Sequence, residues 1–165
     1  MILFALFGAM MYCSKVVMEA LPNIHLLGMF IMTFTVVYRK KALIPIYVYV
    51  LLEGLFAGFS VWWLPYTYIW TILWGITMLL PRKMPKTAQY IIYPVVCALF
   101  GLAYGTLYAP VQALAYHMGF KAMLAWIAAG LPFDALHAAG NFASAFLIPT
   151  LSSLLLKLEQ RYQNK

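Results

Sequence analysis

Charged residues are scarce in this chain, and acidic residues are the scarcest of them. Only 9% of its 165 residues are charged, and 4 acidic residues stand against 11 lysines and arginines. A soluble domain carries about 25% charged residues, so this chain has too little polar surface to cover a globule in water. With 65% apolar residues and a mean hydropathy of +0.88, the sequence predicts an integral membrane protein. Its length leaves no room for a separate soluble domain, so we expect one transmembrane domain over residues 1–165.

Cysteines and catalytic motifs are also few. The 2 cysteines, Cys13 and Cys97, both fall in apolar segments, where we expect small buried side chains and no disulfide framework. The sequence contains no Gly-x-x-x-x-Gly-Lys-Ser/Thr loop, no His-Glu-x-x-His, no Cys-x-x-Cys and no Gly-x-Ser-x-Gly. We therefore expect this chain not to hydrolyse ATP through a phosphate loop, and we assign it no cofactor and no metal.

Apolar segments separated by turns and basic runs predict an all-α bundle of six transmembrane helices. The predicted helices cover residues 1–21, 23–38, 42–58, 66–80, 87–108 and 132–156. Pro22 and Asn23 separate the first two helices. Residues 109–129 leave two possibilities open, because residues 121–130 could form a separate interfacial helix.

The basic residues lie mainly on one side of this predicted bundle. Nine of them share that side, whereas Lys15 and Lys121 lie toward the other. The nine are Arg39, Lys40, Lys41, Arg82, Lys83, Lys86, Lys157, Arg161 and Lys165. Cytoplasmic loops carry the excess of lysine and arginine in membrane proteins, so we expect both termini in the cytoplasm. The net charge of +7 then reflects topology, and we expect no nucleic-acid partner.

Polar side chains gather in the opposite, outer half of the predicted bundle. Ionisable groups inside a membrane are costly, so a functional site is the first hypothesis for them. The polar residues in this half include Lys15, Glu19, His25, Glu53, Gln112, Asp134, His137 and Asn141. Structural alternatives remain for some of them: Lys15 and Glu19 could pair at the headgroups, and Asp134 could cap a helix. Glu53 could be a buried neutral carboxyl group.

Residues 130–141 hold the densest group of these polar side chains. Pro132 is predicted to open the last helix, because its missing N–H costs nothing in the first turn. That helix would place Asp134, His137 and Asn141 at i, i+3 and i+7, on one face. An acid, an imidazole and an amide on one face of an apolar helix need polar partners.

Aromatic residues are concentrated in the turn before the fourth predicted helix. Trp62, Trp63 and Tyr66 could belong to an interfacial belt, or their rings could cover a ligand. The pair Gly101 and Gly105 has the spacing that permits close contact between membrane helices.

Together these features resemble the substrate-binding S component of an energy-coupling factor (ECF) vitamin transporter. The sequence Ala5-Leu6-Phe7-Gly8-Ala9 matches the Ala-x-x-x-Ala motif of that family's first helix. Gly130-Leu131-Pro132-Phe133-Asp134 resembles the proline-led start of its last helix. Six short helices, with both ends inside and a polar outer half, also match. Family members usually carry a short polar leader, whereas this chain begins with Met1-Ile2-Leu3-Phe4.

The resemblance implies a high-affinity capture subunit for a small water-soluble nutrient, a vitamin or related heterocycle, in a bacterial plasma membrane. Such a subunit is not itself an enzyme, and it works with a transmembrane coupling subunit and two ATPase subunits. Ala5 and Ala9 would dock the coupling subunit. The candidate substrate-binding residues are His25, Glu53, Trp63, Tyr66, Gln112, Asp134, His137 and Asn141.

Two other classes of function remain open at this point. A small membrane-embedded enzyme could use Glu53, Asp134 and His137 as acid–base groups or metal ligands. A purely structural membrane subunit would bind no ligand at all.

Overall fold

The computed structural model describes residues 1–21 and 23–163, and in this part of the chain every regular element is helical. The α-helices are α1 Ile2–Val17, α2 Leu27–Tyr38, α3 Leu43–Ala57, α4 Tyr66–Leu79, α5 Lys86–Leu102, α6 Tyr104–Ala115, α7 Phe120–Ala145 and α8 Ile148–Gln163. Short 3-10 segments cover Met18–Ala20, Arg39–Ala42 and Val61–Trp63. The all-α fold class predicted from the sequence is confirmed.

Within residues 1–21 and 23–163, three stretches of helix are long and apolar enough to cross a membrane, judged by length and composition. They are Ile2–Ala20, Lys86–Ala115 and Phe120–Ala145. The second of them comprises α5 and α6. This finding fits the predicted membrane protein, whereas the number of spans and the side of each terminus stay predictions.

Helix α2 forms the centre of the bundle and packs against α1, α4, α5, α7 and α8. Its residues are apolar or hydroxyl-bearing on every face, and Ile31, Met32 and Thr35 have no exposed surface. A helix that is apolar on all sides has to be surrounded by other helices. Its sequence therefore explains its central place.

Helices α5 and α6 approach α7 closely because two glycines face it. A Cβ atom on Gly101 would lie 2.8 Å from the backbone nitrogen of Ala138, and one on Gly105 would lie 2.5 Å from Asp134 Oδ2. Only glycine leaves room for the neighbouring helix at these two positions. The contact predicted for this pair of glycines is therefore present, and it sets the position of Asp134.

The structure corrects the predicted start of the last helix. Pro132 lies inside α7, which begins at Phe120, so residues 121–130 do not form a separate helix. A proline removes one backbone hydrogen bond, and the remaining bonds continue α7 around it. The prediction that Pro132 begins the last transmembrane helix is therefore wrong, and with it one of the features that resembled an ECF S component.

Two further helix boundaries also differ from the prediction. The fifth predicted helix is divided at Ala103 into α5 and α6, and α6 continues to Ala115. The predicted helix over residues 132–156 is interrupted between Ala145 and Ile148. Pro22, which was expected to break the first helix, and Lys165 of the basic tail lie outside the described residues.

The close contact at Gly101 allows a direct test of the packing. We expect Gly101→Ala to lower the free energy of unfolding by about 1–3 kcal/mol, because the backbone of α7 cannot yield to the new methyl group. Gly75, inside α4, is the matched control, since a Cβ atom there would meet nothing within 4 Å. Gly75→Ala should be neutral or stabilising by up to about 1 kcal/mol. Unfolding curves of the two variants in detergent give the comparison, and equal stability would contradict the packing.

Candidate functional site

An ion pair with one fully buried partner joins α1 to α3. Lys15 Nζ lies 3.3 Å from Glu53 Oε2, and the Glu53 side chain has no exposed surface whereas that of Lys15 is 28% exposed. Close packing of α1 on α3 at Gly8, against Val48, brings the two side chains together. Lys15 therefore pairs across the bundle with Glu53 and not along its own helix with Glu19, which is exposed. A buried carboxylate needs such a partner, because its desolvation is otherwise uncompensated.

Asp134 caps the start of α6 from the neighbouring helix. The backbone N–H of Gly105 donates to Asp134 Oδ1 at 3.0 Å. Gly105 is the second residue of α6, and the first N–H groups of a helix lack acceptors within that helix. The carboxylate supplies one acceptor and lies at the positive end of the helix dipole. The alternative role predicted for Asp134, that of a helix cap, is therefore present. Asp134 caps the start of α6, however, and not the start of its own helix α7.

Four aromatic rings, from three helices and the connection before α2, form a closed circuit beside Asp134. The His25 ring lies 5.3 Å from His137 and 6.2 Å from Trp70, measured between centroids. Tyr104 completes the circuit, at 4.9 Å from His137 and 5.8 Å from Trp70. His137 Nδ1 is 3.8 Å from Asp134 Oδ1, which is beyond hydrogen-bonding distance. The circuit therefore places His137 beside the Asp134 carboxylate and His25 beside His137.

Two tyrosines connect this circuit to Glu53. Tyr49 lies one turn before Glu53 on α3, and its ring is 6.1 Å from that of Trp70. The Tyr49 hydroxyl is close to the Glu53 carboxylate but outside hydrogen-bonding geometry. Tyr66, one turn before Trp70 on α4, lies 5.5 Å from Trp70 and approaches Tyr104. Trp70 is thus the central ring between the two acids.

We call these nine residues the polar cluster. They are Lys15, His25, Tyr49, Glu53, Tyr66, Trp70, Tyr104, Asp134 and His137. Among the described residues, eight buried side-chain nitrogen or oxygen atoms have no hydrogen-bond partner, and six of them belong to the polar cluster. The six are His25 Nδ1, Tyr49 Oη, Glu53 Oε1, Trp70 Nε1, Asp134 Oδ2 and His137 Nδ1.

Unpartnered buried polar atoms are uncommon, because each one costs about 1–3 kcal/mol. Six in one place distinguish this region from the rest of the described core. Some of them lie close to one another, since the Tyr49 hydroxyl is near Glu53 and His137 Nδ1 is 3.8 Å from Asp134 Oδ1. The aromatic rings of the same cluster provide flat apolar surfaces beside these atoms. This combination of apolar walls and a few polar groups is typical of a small-molecule site.

Comparison with known proteins gives no match. No family model, curated protein or solved structure matches this chain.

Five of the eight predicted binding residues lie in the polar cluster, and the other three are placed differently. Trp63 Nε1 donates to the Val50 carbonyl at 2.8 Å, which anchors the turn before α4 to α3. Asn141, two turns after Asp134, donates to the Cys97 carbonyl at 3.1 Å and so holds α7 on α5. Gln112 is half-buried on α6, two turns after Gly105, and has no side-chain hydrogen bond within the described part of the chain.

Three members of the cluster were not predicted from the sequence: Tyr49, Trp70 and Tyr104. Helical spacing could have found the first two, because Tyr49 lies four residues before Glu53 and Trp70 lies four residues after Tyr66. Tyr104 carries no such signal, since its place depends on the break between α5 and α6.

The arrangement of acids and histidines does not favour a metal. Across residues 1–21 and 23–163, no three histidine, cysteine, aspartate or glutamate side chains lie close enough together to hold a metal ion. Glu53 is already held by Lys15, and it is separated from Asp134 by the ring circuit. The alternative in which Glu53, Asp134 and His137 bind a metal is therefore not supported.

Ala5 and Ala9 lie one turn apart on α1, away from the polar cluster. Ala5 is exposed and Ala9 is partly exposed, whereas Gly8 faces α3 and is buried. The two alanines thus leave a shallow apolar surface on the outside of the bundle. Its role in docking a partner stays a prediction.

Proposed function

We propose that this chain is the substrate-capture subunit of an ECF-type importer for a small water-soluble nutrient. The observation that carries the proposal is the polar cluster, in which six buried polar atoms lack partners beside four aromatic rings in tilted and edge-on contact. A structural subunit would have no reason to keep so many unsatisfied groups in its core, because apolar residues of similar size would be more stable there.

The position of the cluster supports import from the side opposite the basic residues. It is built by the end of α1, the residues before α2, the middle and end of α3, the starts of α4 and α6, and the middle of α7. The basic turn Arg39–Ala42 joins the other ends of α2 and α3. If that turn is cytoplasmic, as the positive-inside rule predicts, the cluster lies in the outer half of the bundle.

The proposed topology in a bacterial plasma membrane has six spans. The spans are α1, α2, α3, α4, the pair α5–α6, and α7, with both termini in the cytoplasm. Helix α8 would lie across the cytoplasmic ends, because Thr150 contacts Tyr90 near the start of α5 and Leu155 lies near Tyr38 at the end of α2. Its basic residues, Lys157 and Arg161, agree with that side.

In this proposal the chain binds the nutrient, and partner subunits supply the energy for transport. The rings would stack on a flat ligand, and the carboxylates, imidazoles and indole N–H would fix its orientation. Energy would come from two ATPase subunits through a transmembrane coupling subunit, which Ala5 and Ala9 would contact. Small residues one turn apart allow a partner helix to approach closely.

Purification under mild conditions tests this assignment against the two alternatives. We expect the tagged chain to bring down a multi-spanning membrane subunit together with nucleotide-binding subunits, and ATP hydrolysis to occur only in that complex. Chemical turnover by the isolated chain would favour an enzyme instead. Recovery of a complex without ATP-hydrolysing subunits would contradict the proposal.

A further inference from the structure

We infer that the polar cluster selects a planar nitrogen heterocycle that is rich in N–H donors and neutral or cationic, and that it discriminates against carboxylates and phosphates. The inference rests on the proposed function, because it names the chemical class of the substrate. It follows from which polar atoms in the cluster are already satisfied and which are free.

The polar cluster contains more acidic groups than basic groups. Glu53 and Asp134 bring two carboxylates, and Lys15 brings one ammonium group. Among the described lysines and arginines, Lys15 alone forms an ion pair with an acid of the cluster. That ammonium group is held by Glu53 Oε2, so an anionic ligand would meet no free cation and would face the Asp134 carboxylate. Like charges at a buried site cost several kcal/mol, which excludes acids by repulsion.

The free hydrogen-bonding atoms point to the same class. Glu53 Oε1 and Asp134 Oδ2 are buried and unpartnered, on residues that are 0% and 3% exposed. An ionised carboxylate only accepts hydrogen bonds, so a ligand that contacts either oxygen has to donate to it. The Tyr49 hydroxyl already lies beside Glu53, and Asp134 Oδ2 faces Gly105, so the ligand would add its donors to these contacts. Trp70 Nε1 only donates, so it requires one acceptor on the ligand. A ring with amino or amidine-type N–H groups and one ring nitrogen or carbonyl provides this pattern.

The rings between the two acids favour a flat molecule. Trp70 is 1% exposed and is flanked by His25 and Tyr104, with Tyr49 and Tyr66 behind it. Electron-rich rings attract a cation or an electron-poor heterocycle through their faces. A saturated or branched ligand would gain less from these surfaces.

The test uses three probes of the same shape and different charge: benzamidinium, benzamide and benzoate. Each is titrated into the purified protein and its dissociation constant is measured by ligand-observed NMR. We expect benzamidinium to bind roughly tenfold or more tightly than benzoate, with benzamide between them, because a hydrogen bond to a charged group is worth more than 1.4 kcal/mol. Asp134→Asn and Glu53→Gln should each remove most of this preference. Glu19→Gln changes the same charge at an exposed position and should leave the preference intact.

The outcomes separate this inference from the proposed function. Benzoate that binds as tightly as benzamidinium, with affinity lost in Asp134→Asn, would overturn the inference but keep the cluster as a binding site. Binding of the probes that is unchanged in both cluster variants would overturn the inference and also remove the support for a capture site. Failure of all three probes to bind at millimolar concentration would overturn the inference alone, since retention of a natural ligand is measured independently. Circular dichroism of each variant checks that the helices are retained.

Discussion

Replacement of Lys15 by methionine is expected to destabilise the protein by about 3–5 kcal/mol, because it leaves the carboxylate of Glu53 buried without a counter-charge. Methionine keeps most of the apolar volume of the lysine stem, so the loss is electrostatic and not a packing defect. The Glu53 side chain is fully buried, which prevents water from replacing the missing ammonium group. Unfolding by denaturant in detergent micelles, followed by circular dichroism, measures the change in free energy.

Two companion variants make that result specific to the ion pair. The double replacement Lys15→Met with Glu53→Gln removes both charges, and it should recover much of the stability because a neutral amide costs less to bury. Lys121→Met changes the same residue type at an exposed position of α7, and it should alter stability by less than about 0.5 kcal/mol. A Lys15→Met protein as stable as the Lys121→Met protein would show that the pair contributes nothing to the fold.

Replacement of Ala5 or Ala9 by tryptophan should separate partner binding from ligand binding. A bulky ring on this part-exposed face of α1 prevents close approach of a partner helix, so we expect roughly tenfold or greater loss of the co-purified coupling subunit. The polar cluster meets α1 only at Lys15, more than one turn further along the helix, so ligand retention should not change. Quantitative mass spectrometry of the purified complex gives both readouts.

Val17→Trp is the matched control for the docking variants. Val17 is 80% exposed at the other end of α1, where a large ring should not disturb a partner bound at Ala5 and Ala9. Loss of the partner in Val17→Trp as well, or full retention of the partner in Ala9→Trp, would remove the docking role from the alanines.

The sequence was informative wherever polar residues occur at helical spacing in an apolar segment. Asp134, His137 and Asn141 lie on the inward face of α7, as their i, i+3 and i+7 positions predict. Glu53 could be identified because a carboxyl group within an apolar helix has few structural explanations. These signals depend on local periodicity and on the cost of burial, which a single sequence displays.

The remaining features depend on contacts between segments that are distant in the sequence. The break at Ala103 has no local signal, because alanine is the best helix former, and the start of α6 is stabilised by Asp134 from α7. Pro132 gives a strong local signal for a helix start, but packing of α7 against α5 and α6 overrides it. Trp70 is indistinguishable in the sequence from a residue of the interfacial belt, and only the bundle places it between two acids.

Native mass spectrometry of the gently purified protein tests most directly whether the polar cluster is a capture site. The account predicts that the wild-type chain carries one small molecule, and that Asp134→Ala releases it whereas Glu19→Ala, at an exposed acid, retains it. The account would be contradicted if the wild-type chain were detected without any bound small molecule. It would also be contradicted if the Asp134→Ala chain kept the same molecule at the same occupancy.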